Sequence, residues 1–232
     1  MSEIVPAILE KNFSEIKNKL NALRQNVSCV QLDICDGIFV PNRTWPFNSG
    51  GMEDFDFQNI LNEQEGMPFW DEFDFEIDLL TIDAVENFNS YIKLGPKRII
   101  FHLSAQKNLE EFENFLDGLD IYIRDNTEIG LAFKPSDDLK IVLKLANKVD
   151  FLQCMGADKM GFQGETLSEK VFENIEILQK ELPGIVLSVD IGVNLENAPR
   201  LIKAGVNRLV IGSGIWKNLN PLGALEVFQG LL

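Results

Sequence analysis

Asp33, Asp78 and Asp190 each break an apolar run, in CVQLDI, FEIDLL and IVLSVDI respectively. A carboxylate inside such a run is costly to bury. Three that share one space must bind a cation, pair with bases or share protons. Gln31 and Asp36 flank Asp33 in VQLDICDGIFVPN, and His102 closes the run RIIFHL. His102 is the only histidine, so mechanisms that need two imidazoles are excluded. Glycines form a second set: MGFQGE (160–165), DIGV (190–193) and GSGIW (212–216). Gly161, Gly164, Gly192, Gly212 and Ser213 are its candidate anion-binding positions, because glycine lets backbone amides approach an anion closely.

The elements that must position these residues are legible. Eight apolar runs read as strands: IVPAIL, CVQLDI, FEIDLL, RIIFHL, IGLAF, VDFLQCM, IVLSVDI and NRLVIGSG. Helical stripes lie between several of them. One is Phe13, Ile16, Leu20 and Leu23 behind an Asn12 cap. Another is Leu167, Val171, Ile175, Leu178 and Leu182, with Thr166 as its cap and Pro183-Gly184 as its stop. IKLGPKRII (92–100) and IKAGVNRLVI (202–211) repeat one helix-Gly-Arg-strand joint. Alternating strands and helices at this length fit a (β/α)8 TIM barrel. An open doubly wound sheet is disfavoured, since the first strand runs into AILEKNF without a glycine fingerprint. In a barrel, strand carboxyl ends face one pocket. Those ends carry Gln31, Asp33, Asp36, Asp78, His102, Lys134, Met155, Asp190 and Ser213.

Charge narrows the partners. The net charge is −15, and residues 44–92 hold twelve Asp or Glu and no Lys or Arg. Such a stretch repels polyanions and argues against nucleic-acid binding. No apolar run is long enough for a membrane span, and MSEIVPAILEKN has no leader pattern. Three cysteines without paired spacing point to reduced thiols in the cytoplasm. The chain 1–232 reads as one domain, with an acidic loop insertion near 44–72. The aromatics of MPFWDEFDF in that insertion offer a surface on which copies could pair, although local burial is the simpler account.

PAIL followed by VQLDICDGIFVPN resembles the opening of the ribulose-phosphate 3-epimerase family, P-S-I-L-S and then H-x-D-x-M-D-G-x-F-V-P-N. The similarity continues through FEIDLL, IIFHLSA, GLAFKP, VDFLQCMGADKMGFQGE, SVDIGV and VIGSGIW. It implies a ribulose-phosphate-binding barrel and a small phosphorylated sugar as ligand, with the glycine set and His102 toward the substrate. It also implies an epimerase in which two Asp, here Asp33 and Asp190, move protons beside a ketone. A homologue that keeps the barrel and binds sugar phosphate without catalysis is the alternative.

The same resemblance assigns two metal-ligand histidines to positions held here by Gln31 and Asp78. The set Gln31, Asp33, Asp78 and Asp190 is therefore all oxygen. That favours magnesium or manganese over zinc or iron as the divalent metal. Ala7 stands for the family's Ser in P-S-I-L, and Ile191 for the first Gly after strand seven. Lys159-Met160 replaces a Pro-Gly, and Lys134 and Lys159 add cations.

Overall fold

The computed structural model describes residues 2–162 and 164–232. Met1 and Gln163, the latter inside MGFQGE, lie outside them. The eight apolar runs form β1 (Glu3–Ile8), β2 (Cys29–Cys35), β3 (Asp74–Leu80), β4 (Arg98–His102), β5 (Glu128–Phe133), β6 (Phe151–Met155), β7 (Val186–Asp190) and β8 (Arg208–Ile211). Each pairs in parallel with the next, and β1 pairs with β8, so the sheet closes into a (β/α)8 barrel.

Among the described residues, ten helices surround it: α1 (Phe13–Leu23), α2 (Phe55–Leu61), α3 (Phe88–Ile92), α4 (Leu109–Asp117), α5 (Ile121–Asn126), α6 (Leu139–Leu145), α7 (Lys170–Glu181), α8 (Ala198–Lys203), α9 (Ser213–Trp216) and α10 (Pro221–Gln229). Period-two alternation sorts the strand residues. On β2, Val30, Leu32 and Ile34 join the apolar layer under the helices. Gln31, Asp33 and Cys35 take the other face, inside the barrel. The apolar half of each strand therefore builds the main core, which leaves inward positions free for polar residues.

The helices follow the same logic. Asn12 caps α1 by accepting from the Glu15 amide at 3.0 Å, worth about 1 kcal/mol. Its stripe of Phe13, Ile16, Leu20 and Leu23 is buried, at roughly 1.5–3 kcal/mol per side chain. The start of α7 departs from expectation. Thr166 does not cap it, and the helix begins at Lys170. The Ser168 amide instead donates to the Gly156 carbonyl at 2.7 Å. That bond ties the preceding segment across the strand ends before helix can start.

The repeated joint holds in both copies. Gly95 and Gly205 take φ of 68° and 93°, and the arginines that follow, Arg98 and Arg208, turn into the barrel floor. There Arg98 bonds Glu76 at 2.6 Å, Arg208 bonds Glu128 at 2.9 Å, and both approach Glu3. The acidic segment is ordered around Trp45, whose indole donates to Asp54 at 2.9 Å and packs on Phe13 and Phe57. Met67 and Phe73 are buried there, whereas Trp70 is 71% exposed. Among the described residues, no helix is long and apolar enough to cross a membrane.

Candidate active site

Strand register brings the carboxylates together. Asp33 lies opposite Asp78 across the β2–β3 pair, and Met155 opposite Asp190 across β6–β7. The closed barrel carries β7 round so that Asp33, Asp78 and Asp190 each offer an oxygen within 4.8 Å of the others. Gln31, one inward position deeper on β2, donates its amide nitrogen to Asp33 Oδ1 at 2.7 Å and to Asp190 Oδ2 at 3.1 Å. His102 Nε2 lies 2.7 Å from Asp78 Oδ1, with the Phe39 ring 5.5 Å from the imidazole. Asp190 Oδ1 accepts from the Ile191 amide at 2.6 Å. The hydrogen bonds thus form two sets, Asp33–Gln31–Asp190 and Asp78–His102, which the convergence of the three carboxylates brings side by side. His102 sits beside Asp78 and is not among the residues that line the mouth.

This packing raises proton affinity. Burial pushes Asp33 well above the usual carboxylate range, and the neighbouring Asp190 and Asp78 charges add to it. Burial, reinforced by Asp78, lifts Asp190 to about 7 despite amide donation from Gln31 and Ile191. A pair in which both carboxyls are raised can hold one proton between them near neutrality.

Above the carboxylates lies a pocket of about 450 Å³, part of it open to solvent. Asp33 and Asp190 line it together with Gly161, Gly164, Gly212 and Ser213 and the apolar Leu80, Met155 and Val210. Gly192 supports the rim at φ 77°, where a Cβ would stand 2.5 Å from the Leu167 amide nitrogen. Its place is therefore fixed by close backbone approach, and it is not itself a lining residue. Ile191, in the family's glycine position, also takes positive φ, 73°. Its amide is spent on Asp190, and its side chain packs with Met155 and Met160.

Asp36 serves the turn. Its carboxylate accepts from the amides of Ile38 and Phe39 at 2.7 and 2.8 Å, and from Ile82 at 2.9 Å. The two cations suggested by sequence are committed elsewhere, Lys134 to Asp137 at 3.9 Å and Lys159 to Glu165 at 2.6 Å. A third, Lys217, carries no motif, yet its ammonium reaches Gly164. Its only sequence signal is its spacing, one helical turn beyond Ser213.

The cluster could hold a metal ion. Three carboxylates converge, and two of the buried oxygens among these residues, Gln31 Oε1 and Asp78 Oδ2, have no hydrogen-bond partner among the described residues. An all-oxygen donor set with oxygens to spare suits a hard divalent cation.

Known proteins agree with this frame. The chain is 23% identical to the ribulose-phosphate 3-epimerase of Schizosaccharomyces pombe, over 99% of this chain and 92% of that one. It is 22% identical to that of Bacillus subtilis, over 99% of both. Among solved structures, a 3-hexulose-6-phosphate synthase superposes with a TM-score of 0.69 at 15% identity, covering 99% of each chain. A KGPDC from Streptococcus mutans reaches 0.70 at 15% identity, covering 99% of this chain and 96% of that one. The model of the ribulose-phosphate 3 epimerase family matches residues 3–216, and the chain belongs to that family.

Proposed function

We propose that this protein epimerises a ketose phosphate, such as ribulose 5-phosphate to xylulose 5-phosphate. The observation that carries the reading is the Asp33–Gln31–Asp190 bridge at the base of a glycine-rimmed pocket. Epimerisation removes a proton from the carbon beside a ketone and returns one to the opposite face. It therefore needs one carboxylate and one carboxylic acid at the same moment. Two Asp with raised proton affinity, held by one amide, supply that state, and each turnover exchanges their roles. Burial brings their proton affinity toward the operating pH, where such transfer is most effective.

The chain's other residues orient the sugar. The glycine loops and Ser213 take the phosphate, while the apolar side chains of Leu80, Met155 and Val210, which line the same pocket, limit the water around the reacting carbon. Gln31, Asp33, Asp78 and Asp190 would hold a divalent cation, magnesium or manganese before zinc or iron. When bound, that cation would supply Lewis-acid stabilisation to the enediolate oxygens. Gln31 would then present Oε1 in place of its amide nitrogen. His102 holds Asp78 at its other oxygen. On this reading the chain works as one domain, with residues 44–72 as a loop insertion, and its three buried free thiols suit the cytoplasm.

A second reading rests on Gln31 itself, whose amide engages both acids at once. A homologue specialised for binding sugar phosphate would keep the pocket and leave the Asp pair locked. Ribulose 5-phosphate incubated in D2O with magnesium or manganese separates the two. Deuterium at C3 and formation of xylulose 5-phosphate support the epimerase. Binding without any exchange favours the second reading.

A further inference from the structure

Resting on the sugar-phosphate reading above, we propose that Lys217 is the phosphate-gripping cation of this pocket and sets its selectivity for phosphorylated ligands. The pocket rim offers glycine backbone and the Ser213 hydroxyl, while three acidic side chains converge at its base and supply no cation. A dianion entering this chain needs a local positive charge. The obvious amide at the rim is lost, because the Ile191 N–H is bound to Asp190. Lys134 and Lys159 are neutralised by Asp137 and Glu165.

Lys217 has no carboxylate partner among the described residues. A Cβ built on Gly164 would stand 2.7 Å from its Nζ and 4.0 Å from Ser213 Oγ. The ammonium thus reaches the lip through the space that Gly164, a lining residue, leaves by having no side chain, on the same side as the Ser213 hydroxyl, while the lysine itself lines the adjoining groove with Gly214 and Asn218. Lys217 follows Ser213 by one helical turn, so α9 projects both to one side. Glycine at 164 then has a functional reason beyond its φ of 95°, since any side chain there would displace the ammonium.

The test is binding of D-ribose 5-phosphate, and of inorganic phosphate, to wild type, Lys217→Met and Lys217→Arg, measured by calorimetry at two salt concentrations. Lys180→Met, a surface lysine on α7, is the control. Loss of a charge-assisted bond predicts at least a roughly tenfold weaker Kd in Lys217→Met. The salt dependence should flatten, Lys217→Arg should recover most of the affinity, and the control should not change. In steady-state turnover, KM should rise with kcat retained. Wild-type affinity and salt dependence in Lys217→Met would overturn the proposal, as would a wild type that binds neither probe. The two readings fail separately. Lys217-dependent binding without C3 exchange leaves this proposal standing and removes the epimerase. Exchange with Lys217-independent binding does the reverse.

Discussion

His102 Nε2 lies 2.7 Å from Asp78 Oδ1 inside the barrel, and both side chains are sealed from solvent. A buried carboxylate that loses its partner is left uncompensated, which costs about 3–5 kcal/mol, whereas removing both partners costs much less. His102→Leu should therefore lose stability on that scale in urea unfolding, and Asp78→Leu/His102→Leu should recover a good part of it. If the single and double variants lose the same amount, the pair does not act as a unit.

Asp33 and Asp190 have separable roles on the proposed route. Each faces a different side of the substrate, so Asp33→Asn should stop proton removal from one epimer and Asp190→Asn from the other. Proton transfer by a positioned acid or base is worth about 10²–10⁴-fold. Both variants should lose turnover by that factor while retaining sugar-phosphate affinity. Starting from ribulose 5-phosphate and then from xylulose 5-phosphate, NMR of solvent-derived deuterium reads the two directions independently. Equal loss of exchange from both epimers in either variant would rule out one base per face.

A divalent cation should stabilise the fold by mass action. At a hundred times its Kd, a ligand of the native state adds about 2.7 kcal/mol. Manganese titrated into chelator-treated protein should raise Tm and broaden the manganese EPR signal. Asp78→Ala should abolish both effects. A manganese response that survives this substitution places the ion elsewhere.

The barrel itself was legible in the sequence because its strands alternate so regularly. Val30, Leu32 and Ile34 had to face one layer, which forces Gln31 and Asp33 into the other. The repeated Gly-Arg joint likewise foretold two equivalent arginines, and Arg98 and Arg208 do converge on Glu3. What pattern could not give is partner choice. Nothing in RIIFHL says that His102 meets Asp78, because that contact depends on neighbouring strands folding side by side. Lys217 escaped for a related reason: an isolated lysine after a helical turn has no periodicity, and only chain closure brings it to Gly164. The late start of α7 was hidden because the apolar stripe begins at Leu167, before the helix does.

Asp190 also makes stability depend on pH. Its folded pKa is raised to about 7 by burial and by Asp78, against roughly 3.9 for an unfolded carboxyl. Between these values the native state keeps a proton that the unfolded chain has released. The contribution is thus full below about pH 4 and declines as pH rises toward 7. At about 1.4 kcal/mol per pKa unit, up to roughly 4 kcal/mol is involved. With chelator present, Asp190→Asn should gain on wild type progressively from pH 4 to 7 and hold a constant advantage above. A pH-independent difference would show that burial does not disfavour the charged form.

Gly156 controls where Asp190 sits, and the test is steric. Its amide donates to the Asp190 carbonyl at 2.5 Å, and an added Cβ would stand 1.8 Å from the Ile191 carbonyl oxygen. Backbone cannot yield as a flexible side chain does, so Gly156→Ala must push the ends of β6 and β7 apart. Overpacking of this kind costs about 1–3 kcal/mol and occasionally more, and the upper part of that range is expected here. Gly184→Ala is the comparison. Gly184 has φ 96° but nothing within 4 Å, so it should lose only the left-handed backbone penalty of about 1–2 kcal/mol. Activity should separate them further, with Gly184→Ala turning over normally and Gly156→Ala losing turnover as Asp190 leaves the Gln31 amide. Equal activity in the two variants would mean that the Asp190 carboxyl tolerates displacement, and its proposed proton transfer would then have to be abandoned.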